Sequence, residues 1–227
     1  MRNKLLAVVV IFSFISTSCR KFSEQGAIVS GRIDYKITYL NPDIDKKTAS
    51  LLPTRMKLLF NEKHATNNIE GFMGVYKINA FTNFNTRKCS TVLKVFEKYY
   101  IFKGGRDEQM CCFDTMEDME IEYTKDTKKI AGFNCKRCII TFPGTSDTID
   151  VYYTDEIRLK HPNSTNPYHE IKGVLMEFEL KLLYLNMHFI AEKYEPLQKN
   201  NIAIKTPENT KNVTREQMTQ ILSRLME

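Results

Sequence analysis

From residue 55 to residue 153 the chain is a succession of short runs rich in β-branched and aromatic residues. Turn-forming residues separate them, and no segment of helical length intervenes. That pattern constrains the fold more than any other feature. Parallel strands need crossover segments of a dozen or more residues, whereas antiparallel neighbours need only a tight turn. The predicted strands cover 56–60, 64–69, 73–81, 90–96, 99–102, 119–123, 129–133, 136–142 and 148–153, with turns at 61–63, 104–105, 143–144 and 146–147. An earlier strand, 31–39, alternates cleanly and puts Ile33, Tyr35, Ile37 and Tyr39 on one face. Two longer strands, 172–180 and 183–194, follow a polar loop at 155–170. The first places Val174, Met176, Phe178 and Leu180 on one face. Trp is absent, but 14 Phe and 11 Tyr favour strands.

Two helices are predicted. A short one covers 45–52 and stops at Pro53. The other begins at Thr214, an N-cap candidate with Gln217 three residues on, the spacing of a capping box. Met218, Ile221, Leu222, Leu225 and Met226 then form one apolar stripe, expected to dock on the open face of the sheet. The fold class is therefore mainly β, a curved antiparallel sheet closed by a short helix and a C-terminal helix.

The N-terminus carries an address. Arg2 and Lys4 precede an apolar stretch from Leu5 to Ile15, and Ser16-Thr17-Ser18-Cys19 ends it with small residues and a cysteine. The apolar stretch is shorter than the roughly 20 residues of a membrane span and has the layout of a secretory signal. With Cys at its end it resembles a bacterial lipoprotein signal. The resemblance implies cleavage before Cys19 and lipidation of that residue; the alternative is an ordinary signal peptide or an uncleaved anchor. The expected organisation is a signal over 1–18, a lipidated Cys19 and tether over 19–30, and one β-rich domain over 31–227. Loss of Arg2 and Lys4 lowers the net charge from +6 to +4, and no run of five basic residues occurs. Nucleic acid is therefore not an expected partner.

Five cysteines remain beyond Cys19: Cys89, Cys111, Cys112, Cys135 and Cys138. In an oxidising compartment they are disulfide candidates, and their odd number leaves at least one unpaired. A bridge from Cys111 or Cys112 to Cys135 or Cys138 is the preferred reading; a vicinal Cys111–Cys112 bridge would be strained. Cys135-x-x-Cys138 has redox-motif spacing, but Ile139 to Phe142 continue as strand, so the two sulfurs would point to opposite faces. No second such pair exists for zinc, and the four histidines form no metal motif. No metal or cofactor is expected. Glu117, Asp118, Glu120 and Glu122 read as a solvated strand edge or turn.

The segment from Lys128 to Arg137 contains Lys-Ile-Ala-Gly-Phe-Asn-Cys. Asp150-Val151-Tyr152-Tyr153-Thr154-Asp155-Glu156-Ile157, Asn166-Pro167 and Ile171-Lys172-Gly173-Val174-Leu175-Met176-Glu177-Phe178 follow it in order. This order resembles the GLPGLI-type exported proteins of Bacteroidota and related lipoproteins with a LolA-like half-barrel. Here Ile171-Lys172-Gly173-Val174 replaces Gly-Leu-Pro-Gly, placing the resemblance nearer the lipoprotein branch. The resemblance implies an exported half-barrel with an apolar concave face, and no catalytic residues.

A concave apolar face suits an acyl chain or hydrophobic peptide, each buried CH₂ contributing about 0.8 kcal/mol. Its candidate binding residues are Tyr35, Ile37, Val151, Tyr153, Met176, Phe178, Ile221 and Leu225. The expected protein is a non-enzymatic, lipid-anchored protein of the outer membrane, facing the periplasm. It binds a lipid or lipoprotein or docks on an outer-membrane protein. The alternatives are an accessory subunit of an outer-membrane assembly, export or uptake complex, or a thiol oxidoreductase using Cys135 and Cys138. Asp114-Thr115-Met116 and Asp147-Thr148-Ile149 resemble the O-glycosylation acceptor of Bacteroidota, making Thr115 and Thr148 candidates. Asn163-Ser164-Thr165 matches the N-glycosylation triplet of eukaryotic hosts.

Overall fold

The computed structural model describes residues 27–44, 46–197, 202 and 206–226. The signal segment, Cys19 and the tether through residue 26 lie outside the described residues. Twelve strands and two helices follow in the order β1 (Gly31–Tyr39), α1 (Lys46–Leu51), β2 (Arg55–Phe60), β3 (His64–Glu70), β4 (Tyr76–Asn83), β5 (Lys88–Val95) and β6 (Lys98–Arg106). Then come β7 (Glu120–Ile130), β8 (Phe133–Thr141), β9 (Thr148–Thr154), β10 (Val174–Leu182), β11 (Leu185–Glu195), β12 (Lys211–Asn212) and α2 (Arg215–Met226). They form one sheet in the order β12-β6-β5-β4-β3-β2-β1-β11-β10-β9-β8-β7. Every pairing is antiparallel except β12 on β6.

The sheet curves into an open half-barrel. Register breaks at Asp34/Tyr35, Lys88/Ser90, Tyr123/Thr127 and Leu175/Glu177 bend it, because an extra residue on one strand kinks the ladder and increases its twist. Residues of β2, β8 and β11 meet across the curved sheet. There the Tyr194 ring stacks on Phe60 at 6.5 Å and takes the edge of Phe133 at 5.1 Å. Antiparallel pairing fixes two rims. The chain enters at the rim bearing the start of β1, the proximal rim. The opposite, distal rim collects the β1–β2, β3–β4, β5–β6, β8–β9 and β10–β11 connections.

Three expected strands are corrected. The runs 119–123 and 129–133 are not separate strands. They belong to the long edge strand β7, to the turn that follows, and to the start of β8. Ala131 and Gly132 form that two-residue turn with φ of 48° and 91°, the left-handed pair that a tight hairpin requires. The strand expected over 73–81 begins only at Tyr76, after a single 3₁₀ turn at Phe72–Gly74.

The C-terminal helix matches its sequence signal. Thr214 N–H donates to Gln217 Oε1 at 3.0 Å, and Gln217 N–H donates to Thr214 Oγ1 at 3.2 Å, closing the capping box. Met218 and Leu222 are buried and Ile221 and Leu225 half-buried against the core. The short helix α1 lies in the β1–β2 connection at the distal rim, with Leu51 exposed and the flanking Ile44 and Leu52 packed against the core.

Two segments without regular structure also cover the concave face. A strap, residues 107–119, crosses from the end of β6 to the start of β7, and a plug, residues 155–173, folds back between β9 and β10. The plug buries Ile157, Tyr168 and Ile171, and with them the polar Asn163, Ser164 and Thr165. Burying polar groups is tolerated when they are hydrogen-bonded. Asn163 Nδ2 donates to the carbonyls of Ile171 and Gly173 at 2.6 and 2.9 Å. Thr165 Oγ1 lies 2.7 Å from Thr82 Oγ1 on β4, and its carbonyl accepts from Met110 N–H of the strap at 2.9 Å.

Candidate functional site

The residues expected to hold a ligand are mostly core. Tyr35, Ile37, Val151, Met176 and Phe178 are buried, and Tyr153, Ile221 and Leu225 are half-buried. Phe178 stacks on Phe189 at 4.9 Å and meets the edges of Tyr35 and Tyr168 at 5.8 and 6.3 Å. Tyr35 donates its hydroxyl to Leu175 O at 2.7 Å, and burial holds that phenol well above its usual pKa. Between this face and the plug remains a cavity of about 60 Å³, lined by Tyr35, Phe60, Phe178, Met110 and Thr165 among others. That is less than half of the roughly 150 Å³ of an engineered apolar cavity that binds benzene, little space for an acyl chain. The expected open groove is a packed core because the chain's own plug and strap occupy it.

The large apolar side chains left in water lie elsewhere. Among the described residues seven are exposed: Leu40 47%, Leu51 47%, Phe72 51%, Met73 87%, Phe96 61%, Tyr123 55% and Tyr184 49%. All but Tyr123 lie in or beside distal-rim connections. The connections touch in two pairs, β3–β4 with β5–β6 and β1–β2 with β10–β11. Phe96 N–H donates to Val75 O at 2.9 Å and Leu40 N–H to Asn186 O at 2.9 Å, while Asn41 Nδ2 reaches Tyr184 O at 2.9 Å. Met73 and Phe96 hold φ of 50° and 51°, a region that costs non-glycine residues of order 1–3 kcal/mol. Sequence reasoning missed this patch because it read Met73 and Phe96 as strand ends. The legible signal was a bulky apolar residue beside turn residues, as in Phe72-Met73-Gly74.

Beside the patch the distal rim opens into a cleft of about 600 Å³. Leu40, Met116 and Phe142 give it apolar wall; Asp114, Glu117, Asp147, Glu179, Lys181 and Asn186 give it polar groups. Burial raises the pKa of Glu179, and His188 opposes that shift. Of the two O-glycosylation candidates, Thr148 is exposed on this cleft. Thr115 is exposed beside it, its hydroxyl donating to Glu117 Oε1 at 3.2 Å. The triplet at 163–165 is buried in the plug, with the Asn163 amide committed to two carbonyls.

All five described cysteines are free thiols. The expected approach of Cys111 or Cys112 to Cys135 or Cys138 does not occur. Cys135 and Cys138 lie on β8, in unbroken register with β9, whereas Cys111 contacts Cys112, Sγ to Sγ 3.0 Å, and the Arg215 carbonyl of α2. Burial pushes Cys89, Cys135 and Cys138 up to about 11. Their thiols are therefore poor nucleophiles. Glu117, Asp118, Glu120 and Glu122 are exposed on or beside the edge strand β7. Among the described residues no group of three His, Cys, Asp or Glu could hold a metal ion.

A family model described as the N-glycanase peptide, N-terminal domain, matches residues 105–176, from the end of β6 to the start of β10. Two crystal forms of PNGF-II are similar over most of this chain. The P21 form has a TM-score of 0.53 and 12% identity and covers 86% of this chain; the C2 form has 0.53 and 13% and covers 87%. Each match covers 33% of the PNGF-II chain, so this chain spans about a third of that protein's length. At this identity the likeness is one of fold. A β-barrel-like protein of the domain of unknown function DUF1849 from Brucella abortus also aligns, with a TM-score of 0.34 and 11% identity, over 75% of this chain and 99% of its own. No curated protein matches the sequence.

Proposed function

We propose that this chain is a non-enzymatic docking protein of the cell envelope, tethered through lipid on Cys19, that engages a protein partner with its distal rim. One observation carries the reading: among the described residues six of the seven exposed large apolar side chains lie on one rim, while the concave face is filled by the chain itself. Exposed apolar surface gathered in one patch is a common mark of an interaction site. The tether joins the domain at the other rim, where Ser30 Oγ donates to Leu197 O at 2.8 Å and Ile28 bridges Ile157. A membrane-anchored domain would thus present Phe72, Met73 and Phe96 away from its anchor. In PNGF-II the similar fold accounts for a third of a larger chain, which is in keeping with a half-barrel acting as a module.

The test is cross-linking and affinity capture of the full chain in its own envelope, wild type against a Phe72→Asp/Phe96→Asp variant. Surface substitutions of this kind change stability by roughly 0.5 kcal/mol, so the variant folds. A stoichiometric protein partner captured by wild type and lost with the variant supports the reading. Retention of that partner by the folded variant, or lipid alone on the wild type, overturns it. A second reading draws on the cleft, whose carboxylates, amide and Phe142 suit a polyhydroxylated ligand, and on likeness to a protein named as an N-glycanase. Titration calorimetry with N-glycan oligosaccharides separates the two readings: saturable heat with Phe72→Asp/Phe96→Asp unaffected favours the glycan.

A further inference from the structure

We infer that Cys111 and Cys112 are a redox-modification site that closes to a vicinal disulfide by exchange with an external disulfide. The inference stands apart from the docking reading, because it rests on the strap and α2 rather than on the apolar rim. The two sulfurs lie 3.0 Å apart, against about 2.05 Å in a bond, so closure needs a movement of about 1 Å. Adjacent residues rarely bring their sulfurs together. Here Cys112 has φ of 74°, which folds the backbone back on itself.

Neighbours on three sides hold that conformation. Cys111 N–H donates to Thr91 Oγ1 at 3.3 Å, and Cys112 O accepts from Leu183 N–H at 3.3 Å. Phe113 bridges to Leu182, and Asp114 N–H donates to Lys181 O at 2.8 Å. On the helix side Arg215 clasps the strap, Nη1 to Met110 O at 3.2 Å and Nη2 to Gln109 O at 2.5 Å, with Glu108 Oε1 at 3.1 Å.

The two thiols are not equivalent. Cys112 is half-buried and Cys111 buried. The Cys111 thiol hydrogen-bonds to Cys112, Thr219 Oγ1 lies 3.8 Å from the Cys112 sulfur, and the Arg215 charge is near. All three lower the pKa of Cys112, whereas the hydrogen bond to Cys112, burial and the charge of the Cys112 thiolate raise that of Cys111. Cys112 is therefore the attacking thiolate. It displaces one thiolate from the external disulfide and forms a mixed disulfide at its own sulfur. The Cys111 sulfur, on losing its proton, then attacks Cys112 Sγ and expels the second thiolate. Two cysteine thiols have lost two electrons and two protons, and the external disulfide has become two thiols. Neighbouring Cα atoms are 3.8 Å apart, below the usual spacing of bridged cysteines, and strained bridges are the readily reduced ones. The bridge is thus reversible. It sits directly before Asp114, Met116 and Glu117, which line the distal cleft.

The test equilibrates the mature chain with oxidised and reduced glutathione, quenches with acid, unfolds and alkylates, and reads digested peptides by mass spectrometry. The expected product is one peptide containing residues 111–112, unalkylated and lighter than the dithiol by two hydrogens, with Cys89, Cys135 and Cys138 alkylated. In Cys111→Ser the mixed disulfide persists on Cys112. In the reduced folded chain Cys112 alkylates at least about tenfold faster than Cys135. Cys112 bridged to Cys89, Cys135 or Cys138, or a 111–112 dithiol at every glutathione ratio, would falsify the inference, as would no mixed disulfide in a Cys111→Ser chain with wild-type circular dichroism.

Discussion

Replacing Phe178 by Ala tests whether the concave face is core or binding surface. The ring is buried on β10, stacked on Phe189 at an interplanar angle of 5° and edged by Tyr35 and Tyr168 at 76° and 75°. Truncation removes a partner from three rings and merges the vacated space with the cavity of about 60 Å³ beside it. Buried Phe→Ala changes cost about 3–5 kcal/mol, and aromatic pairs contribute about 0.5–1.5 kcal/mol beyond their buried area. With three rings affected and a void already present, a loss of about 4–5 kcal/mol is expected. For a domain of this size that lowers Tm by roughly 8–20 °C. Urea unfolding followed by circular dichroism measures it, with the midpoint falling at an unchanged m-value. A loss below about 1 kcal/mol at constant m would mean the ring faces open space. The concave face would then return as the binding surface.

Two further perturbations probe the plug and the cleft. Thr165→Val breaks the 2.7 Å contact with Thr82 Oγ1 and leaves that buried hydroxyl without its partner. It should cost about 1–3 kcal/mol and speed hydrogen exchange of Met110 N–H; an unchanged exchange rate would show that the plug does not hold the strap. Burial raises the folded pKa of Glu179 above its usual 4.5, with His188 opposing. The folded state therefore holds this proton more tightly, and the associated stability is present at low pH and lost as pH rises through the folded value. Glu179→Gln should thus gain on wild type between about pH 4 and about pH 7; a gap between their urea midpoints that narrows over this range would reverse the assignment.

Strand content was legible where one face is buried and the other wet. Ile33, Tyr35 and Ile37 on β1 and Val174, Met176, Phe178 and Leu180 on β10 alternate and lie in the core as their period demands. The capping box of α2 was legible because it is local. The long edge strand β7 was not. From Glu120 to Lys129 it is largely polar and exposed, and Ala131 in the first left-handed position of its turn gives no glycine signal. The plug was hidden for a different reason. Asn163, Ser164 and Thr165 read as solvent-exposed loop, and the carbonyls of Ile171 and Gly173 make the burial of Asn163 tolerable as the Thr82 hydroxyl does that of Thr165. With the plug unseen, the concave face looked available and the rim residues looked incidental.

The placement of β1 governs the order in which this sheet can be completed. The first strand of the domain lies at its middle, flanked by β2 on one side and β11 on the other, with Tyr35 opposite Ala191. While the chain emerges from its N-terminus, β1 to β6 can zip together from successive local hairpins. The second side of β1 stays unpaired until Leu185–Glu195 arrives. Ladders between such distant residues form late and slowly, because a long loop must be closed first. An unpaired strand in the meantime is a template for wrong partners. A nascent or truncated chain ending before β11 is therefore two unjoined half-sheets with an adhesive seam along the open edge of β1.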